Sequence, residues 1–238
     1  MSVLVAIEGA DGAGKATAAA NVRDALVARG FSASVISFPR YTETVGGVAL
    51  GKFLSGRMPV PVTPKAAAVL YGLDRLESVS FVAQEAAAND VVIFDRYIAS
   101  NMVYQASKVA SEDAAYLMQW IFRLETETFG VAPPDLSIYL DTPIENAREL
   151  MLLKGRRSYT DRQHDEHEAD TALQRNVRRH YAAIASQGLV GPWRTVHTVS
   201  GDRLRSPQNI ALEIAGYVLK LLEQDREEVR ERATISRA

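Results

Sequence analysis

The stretch "AIEGADGAGKATAAANV", residues 6–22, decides how this chain is read. An apolar run enters it, glycines fill its middle, and an alanine-rich helical pattern leaves it. Gly9, Gly14 and Lys15 fit the phosphate-loop spacing G-x-x-x-x-G-K. In such a loop the unpaired N–H groups of the helix start, with the positive end of the helix dipole, face a phosphate. Gly9, Gly12 and Gly14 permit the close backbone approaches this needs. The residue after the lysine ordinarily offers a hydroxyl to a magnesium ion. Here it is Ala16, and the hydroxyl comes one position later, at Thr17. The dinucleotide fingerprint G-x-G-x-x-G is not met, because Thr17 stands at its third glycine.

Outward from the loop, short apolar runs alternate with longer helical patterns. Strands are expected at 3–8, 32–38, 90–95, 136–141 and 194–200, and helices near 15–29, 64–88, 98–128, 143–153, 168–187 and 205–224. Several strands are apolar throughout, as parallel strands buried on both faces are. The expected fold is α/β: a five-stranded parallel sheet of the P-loop NTPase type, helices on both faces, and a lid. Residues 1–224 read as one domain with a lid near 154–168, and 225–238 as a charged tail. Ligands of such sheets gather beyond the carboxyl ends of the strands, so the residues there matter most.

Composition narrows the function. The 27 basic and 29 acidic residues nearly cancel, which argues against a nucleic-acid partner. There is no cysteine, hence no disulfide framework and no thiolate metal site. The leading "VLVAI" is too short for a signal peptide and no run approaches membrane-helix length, so a cytoplasmic location and no membrane partner are expected.

"VVIFDRY" supplies a second piece of site. A strand ending in Asp95 places a carboxylate where P-loop proteins hold metal and phosphates, and Arg96 adds positive charge. No N-K-x-D motif marks a GTPase, and no serine–histidine–carboxylate set is present. An acceptor that is itself a phosphate needs neither, because its oxygens are already anionic. Catalysis is then the positioning of two anions and the cancelling of their repulsion. Lys15, Arg40, Arg75, Arg96 and the cluster Lys154, Arg156, Arg157 and Arg162 supply the charge. Tyr71 and Arg75, one helical turn apart, share a face. His164 and His167, amid carboxylates, read as part of a polar surface segment rather than a metal site. Trp120 and Phe122 read as core or subunit-interface residues.

"EGADGAGKAT", "FPRY" (38–41), "YGLDR" (71–75), "DRYIASNMVY" (95–104) and the lid ending in "DEHEAD" (165–170) together resemble the thymidylate kinase family, in its actinobacterial form, over residues 3–200. The resemblance implies phosphorylation of dTMP to dTDP by ATP with Mg²⁺, in a homodimer. It implies an ATP site on Gly9, Ala10, Asp11, Gly12, Ala13, Gly14, Lys15, Ala16 and Thr17, with Asp11 and Asp95 near the metal. Phe38, Arg40 and Tyr41 would line the acceptor side, and Arg96 would approach its phosphate. Tyr71 and Arg75 would stack on and bond the thymine, Asn101 would read its edge, and Tyr104 would crowd the 2′ position. Asp165, His167 and Glu168 would close over the nucleotide. His167 departs from the tyrosine common there. With Gly12 in the loop and Arg156 and Arg157 in the lid, the chain is similar to members whose catalytic arginine comes from the lid. Two alternatives stand beside this. One is a kinase for another nucleoside monophosphate or for a deoxynucleoside, with Glu8 as base. The other is a nucleotide-binding regulator disabled by Ala16.

Overall fold

A computed structural model describes residues 2–152, 171–201 and 203–235. Five strands form one sheet: β1 (Val3–Glu8), β2 (Ala33–Ser37), β3 (Val91–Asp95), β4 (Leu136–Asp141) and β5 (Trp193–His197). Their order is β2-β3-β1-β4-β5 and every pairing is parallel, as the apolar runs predict. Helix α1 (Lys15–Val27) follows β1, α2 (Val45–Leu54) and α3 (Pro64–Ala88) follow β2, and α4 (Ile98–Ala106) and α5 (Ser111–Arg123) follow β3. Next come a π-helical turn (Leu124–Thr128), α6 (Ile144–Leu152), α7 (Thr171–Gln187) and α8 (Pro207–Ile235).

The sheet divides two cores. Val5, Ile7, Ile93, Ile138 and Leu140 face α1 and α8, where Val22, Leu26, Ile214 and Val218 meet them. Ala6, Val92, Phe94 and Tyr139 face the other side, against Ile98, Val103, Ile121, Val177 and Tyr181. Alternation along β1, β3 and β4 thus buries both faces, while the edge strands β2 and β5 are partly exposed. Trp120 and Phe122 pack at the margin of the second core.

Four elements differ from the sequence-based expectation. The helix expected over 98–128 is two helices and a π turn. It breaks at 107–110, where Ser107 Oγ donates back to Val103 O (2.8 Å) and Glu112 and Asp113 open a new first turn. Helix α2 has no counterpart among the expected helices. Its sequence, "VGGVALGKFL", is poor in helix propensity. It forms because Thr44 caps it, its hydroxyl accepting from Gly47 N (2.8 Å), and because it packs on α3. The last expected strand also ends early. Val199–Ser200 leaves the sheet to pair antiparallel with Arg203–Leu204, a two-rung hairpin of β6 and β7. Helix α8 runs on through residue 224, past the boundary expected from composition.

Candidate active site

The loop between β1 and α1 carries the glycine geometry that its sequence demands. Gly12 has φ +78° and Gly14 φ +87°. A Cβ on Gly12 would lie 2.3 Å from the Ala147 carbonyl oxygen of α6 and 2.9 Å from Met151 Cγ, so the position admits no side chain. Lys15 is buried, and its ammonium donates to the carbonyls of Gly9 (3.0 Å) and Ala10 (2.7 Å). Burial, then the neighbouring Arg96, pulls its pKa down to about 7. Ala16 and Thr17 are exposed on the first turn of α1.

Asp11, inside the loop, is held on both sides. Its N–H donates to Gln174 Oε1 (3.1 Å), and Gln174 Nε2 donates to Asp11 Oδ2 (2.8 Å). Its other oxygen pairs with Arg96 Nη2. Arg96 follows β3 in a left-handed conformation (φ +68°) and donates its N–H to Ile7 O (3.1 Å). That turn is costly for a residue with a side chain, and such turns cluster at functional sites. It swings the guanidinium between Asp11 and the Tyr104 ring, whose centre lies 5.3 Å away. Burial first, then the Asp11 carboxylate, keeps the Tyr104 phenol neutral. Asp95, half-buried, precedes this turn.

Glu8 is fully buried and surrounded by donors: Tyr97 N (2.9 Å), Ser100 N (3.3 Å), Ser100 Oγ (2.6 Å) and Tyr181 OH (2.9 Å). It fastens β1 to α4 and α7. A carboxylate so occupied is not poised as a base for a nucleoside hydroxyl, which removes the structural footing of that alternative.

The residues expected at the acceptor lie in the segment after β2 and on α3 and α4. Phe38 is buried against the rings of Phe94 and Tyr97 (6.1 and 5.8 Å). Arg40 turns onto α3: its N–H donates to Asp74 Oδ2 (3.0 Å), its Nη1 to Ser78 Oγ (3.2 Å), and its guanidinium lies 4.2 Å above the Phe81 ring. Asp74, whose pKa burial raises, also accepts from the Thr44 hydroxyl. Tyr41 and Tyr71 are half-buried. Arg75 and Asn101 are buried and bonded to a residue the sequence did not single out, Glu125. A signal for Glu125 existed. It lies four positions beyond Ile121, on the buried stripe that Ala114, Leu117 and Ile121 make on α5. For Gln174 the sequence held none: 163 positions separate it from Asp11.

A cavity of about 200 Å³ lies beside the loop and the start of α1. Gly14, Thr17, Leu150, Leu204, Arg205 and Pro207 are among its walls. Arg205 is held there by Glu213 Oε2 (2.6 Å) and the His197 carbonyl (2.7 Å). These residues come from distant parts of the chain, and no motif announces them. Lys154, Arg156, Arg157, Arg162, His164, Asp165, His167 and Glu168 lie outside the described residues. Among the described residues no group of three or more His, Asp or Glu gathers as a metal cage, and no helix is long and apolar enough to cross a membrane.

A phosphate loop at the carboxyl edge of a parallel sheet, its own aspartate paired with an arginine at the end of the neighbouring strand, defines a P-loop phosphotransferase of the nucleoside monophosphate kinase class. Comparison with known proteins makes this specific. The thymidylate kinase family model matches residues 7–190. Thymidylate kinase of Mycobacterium tuberculosis is 34% identical over 195 residues, covering 82% of this chain and 91% of that protein. The enzyme of Alkalilimnicola ehrlichii is 31% identical over 190 residues, covering 77% and 79%. The solved thymidylate kinase of Candida albicans shares the fold with a TM-score of 0.64 at 18% identity, covering 94% and 92%. The chain belongs to the thymidylate kinase family.

Proposed function

We propose that this chain moves the γ-phosphoryl group of ATP onto dTMP, releasing dTDP and ADP. Family membership over residues 7–190 carries the reading, and the Asp11–Arg96–Tyr104 cluster between the loop and the α3–α4 wall supports it. An oxygen of the acceptor phosphate attacks the γ-phosphorus while the bond to the β–γ bridging oxygen breaks and ADP leaves. No base is needed, since the attacking oxygen is already anionic. Lys15 leaves the carbonyls of Gly9 and Ala10 to meet the outer phosphates, and the loop N–H groups cradle them. Arg96 neutralises the acceptor phosphate, with its guanidinium aimed by Asp11. The apolar cavity beside Thr17 and Arg205 suits the purine of ATP.

Magnesium fits the donor set. Asp95 offers carboxylate oxygens, and Asp11 would do so on giving up a bond to Arg96 or Gln174; such oxygens suit a hard ion that keeps several of its waters. Bound there it would offset phosphate charge. Ala16 leaves these carboxylates to do what a loop hydroxyl ordinarily does. The regulator alternative that Ala16 raises gains nothing from the family match. Arg156 and Arg157 remain our candidates for the transferring charge, because Gly12 leaves the loop no arginine. Asp165, His167 and Glu168 are the candidates to close the nucleotide in. Phe38, Arg40, Tyr41 and Tyr71 are assigned to the acceptor, and a cytoplasmic homodimer is the expected setting.

The test is ADP release with dTMP, dUMP, dCMP, UMP, AMP and thymidine. Expected is dTMP first and dUMP slower but measurable, since a methyl group in an apolar pocket is worth roughly 1–3 kcal/mol. Preference for AMP or thymidine rejects the reading.

A further inference from the structure

Beyond the residues that would touch the acceptor base lies one that sets how they present themselves. Glu125 is fully buried, in the π-helical turn that ends α5. Such turns are uncommon and frequent at functional sites. Its carboxylate reaches α3 because Gly72 has no side chain: a Cβ there would lie 2.9 Å from the Phe129 ring and 3.4 Å from Glu125 Cγ. Glu125 accepts from Arg75 Nε, from Arg75 Nη2 (2.6 Å) and from Asn101 Nδ2 (2.8 Å). Asn101 Nδ2 also donates to the Ala68 carbonyl (3.0 Å). An ion pair out of water is weak support for stability, since apolar residues of like volume often serve as well. Its presence here calls for another reason.

The Asn101 carboxamide has one workable orientation. Two acceptors, the Ala68 carbonyl and the Glu125 carboxylate, face one end, so that end must be the NH₂ group. Gln105 Nε2 approaches the other end, Oδ1, at 3.4 Å, which agrees. An amide oxygen has two lone pairs, so Oδ1 can accept one further bond. Arg75, with Nε and Nη2 engaged, keeps N–H donors on Nη1. The wall then offers an acceptor from Asn101 and a donor from Arg75. Thymine and uracil present the matching edge, N3–H beside O4. Cytosine presents the opposite, a bare N3 beside an amino group.

We propose that Glu125 is a positioning residue for base selection. By fixing the Asn101 amide and the Arg75 fork it sets the wall to take the N3–H/O4 edge and to refuse cytosine. The proposal rests on the dTMP reading and adds the residue that enforces it.

The experiment compares kcat/KM for dTMP, dCMP and a dTMP analogue with C–H in place of N3–H. The chain is used as it is, and as Glu125→Gln and Glu125→Asp. Gln keeps the shape but puts one N–H against a donor. Asp keeps the charge and guards against loss of the fold. The unaltered chain should prefer dTMP over the analogue by tenfold or more, the size of one good hydrogen bond. Glu125→Gln should cut both ratios, dTMP over dCMP and dTMP over the analogue, by about tenfold. Its KM for dTMP should rise while kcat at saturation holds. Glu125→Asp should fall between. A melting temperature that drops in either variant with both ratios unchanged overturns the proposal, because Glu125 is then only structural. So does an unaltered chain that takes the C–H analogue as readily as dTMP. Equal turnover of dCMP and dTMP overturns it while leaving the kinase reading intact, whereas turnover of no nucleoside monophosphate overturns both.

Discussion

At Lys15 the loop works against the charge that it needs. With a pKa near 7 the side chain is largely neutral at pH 8, and the ATP phosphates would restore its proton. The folded pKa lies below the unfolded value of 10.5, so the unfolded chain binds more protons between about pH 7 and 10. Two consequences share that sign. Through this group, stability without nucleotide rises with pH across the window. ATP binding takes up a proton there, and its affinity weakens as pH rises, by up to tenfold per unit. Calorimetry at pH 8 in two buffers of different ionisation enthalpy should give different heats, and Lys15→Arg should abolish the difference. Equal heats for the unaltered chain would mean that Lys15 is already charged. This property was not legible in the sequence. The loop motif names the lysine, but its burial and the Arg96 beside it come from the turn after β3, some 80 positions away.

At the scale of elements, α2 tells most about what pattern reading catches. Its three glycines hide a helix that a cap and a partner create. The same cap joins it to the acceptor side, because Thr44 and the Arg40 N–H share the Asp74 carboxylate. Thr44→Val should therefore cost about 1 kcal/mol as a lost cap, or a melting-temperature fall of about 2–4 °C in a chain of this size. It should also raise KM for dTMP severalfold while kcat at saturation changes little. An unmoved KM alongside the lower melting temperature would separate α2 from substrate binding. By contrast, β1, β3, β4, α1 and α3 were legible almost to the residue, because each is a long run whose local period agrees with its final place. The break at 107–110 was not: α4 is buried all round, so no stripe marks its end, and only four residues intervene before α5. Glu125 shows a subtler limit. An acid on an apolar stripe is visible in sequence, but its partners on α3 and α4 come from tertiary packing alone.

Across the whole molecule, Glu8 is where the two halves of the fold meet, since β1 lines both cores and the Glu8 carboxylate binds α4 and α7 to its end. Glu8→Gln removes charge from those bonds and should cost about 1.5–3 kcal/mol, or about 3–12 °C of melting temperature. Well below that transition kcat with dTMP should stay within about threefold; a loss of 10² or more, the scale of a missing general base, would place Glu8 in the chemistry after all. Gly12 bears on the history open to such a chain. The space a side chain would take there is filled by the main chain of α6, and no replacement of Ala147 can clear a carbonyl oxygen. An arginine therefore cannot be acquired at position 12 by one substitution that leaves the helix in place. If the catalytic charge comes from Arg156 or Arg157, as proposed, a lineage moving it to position 12 would first have to shift α6.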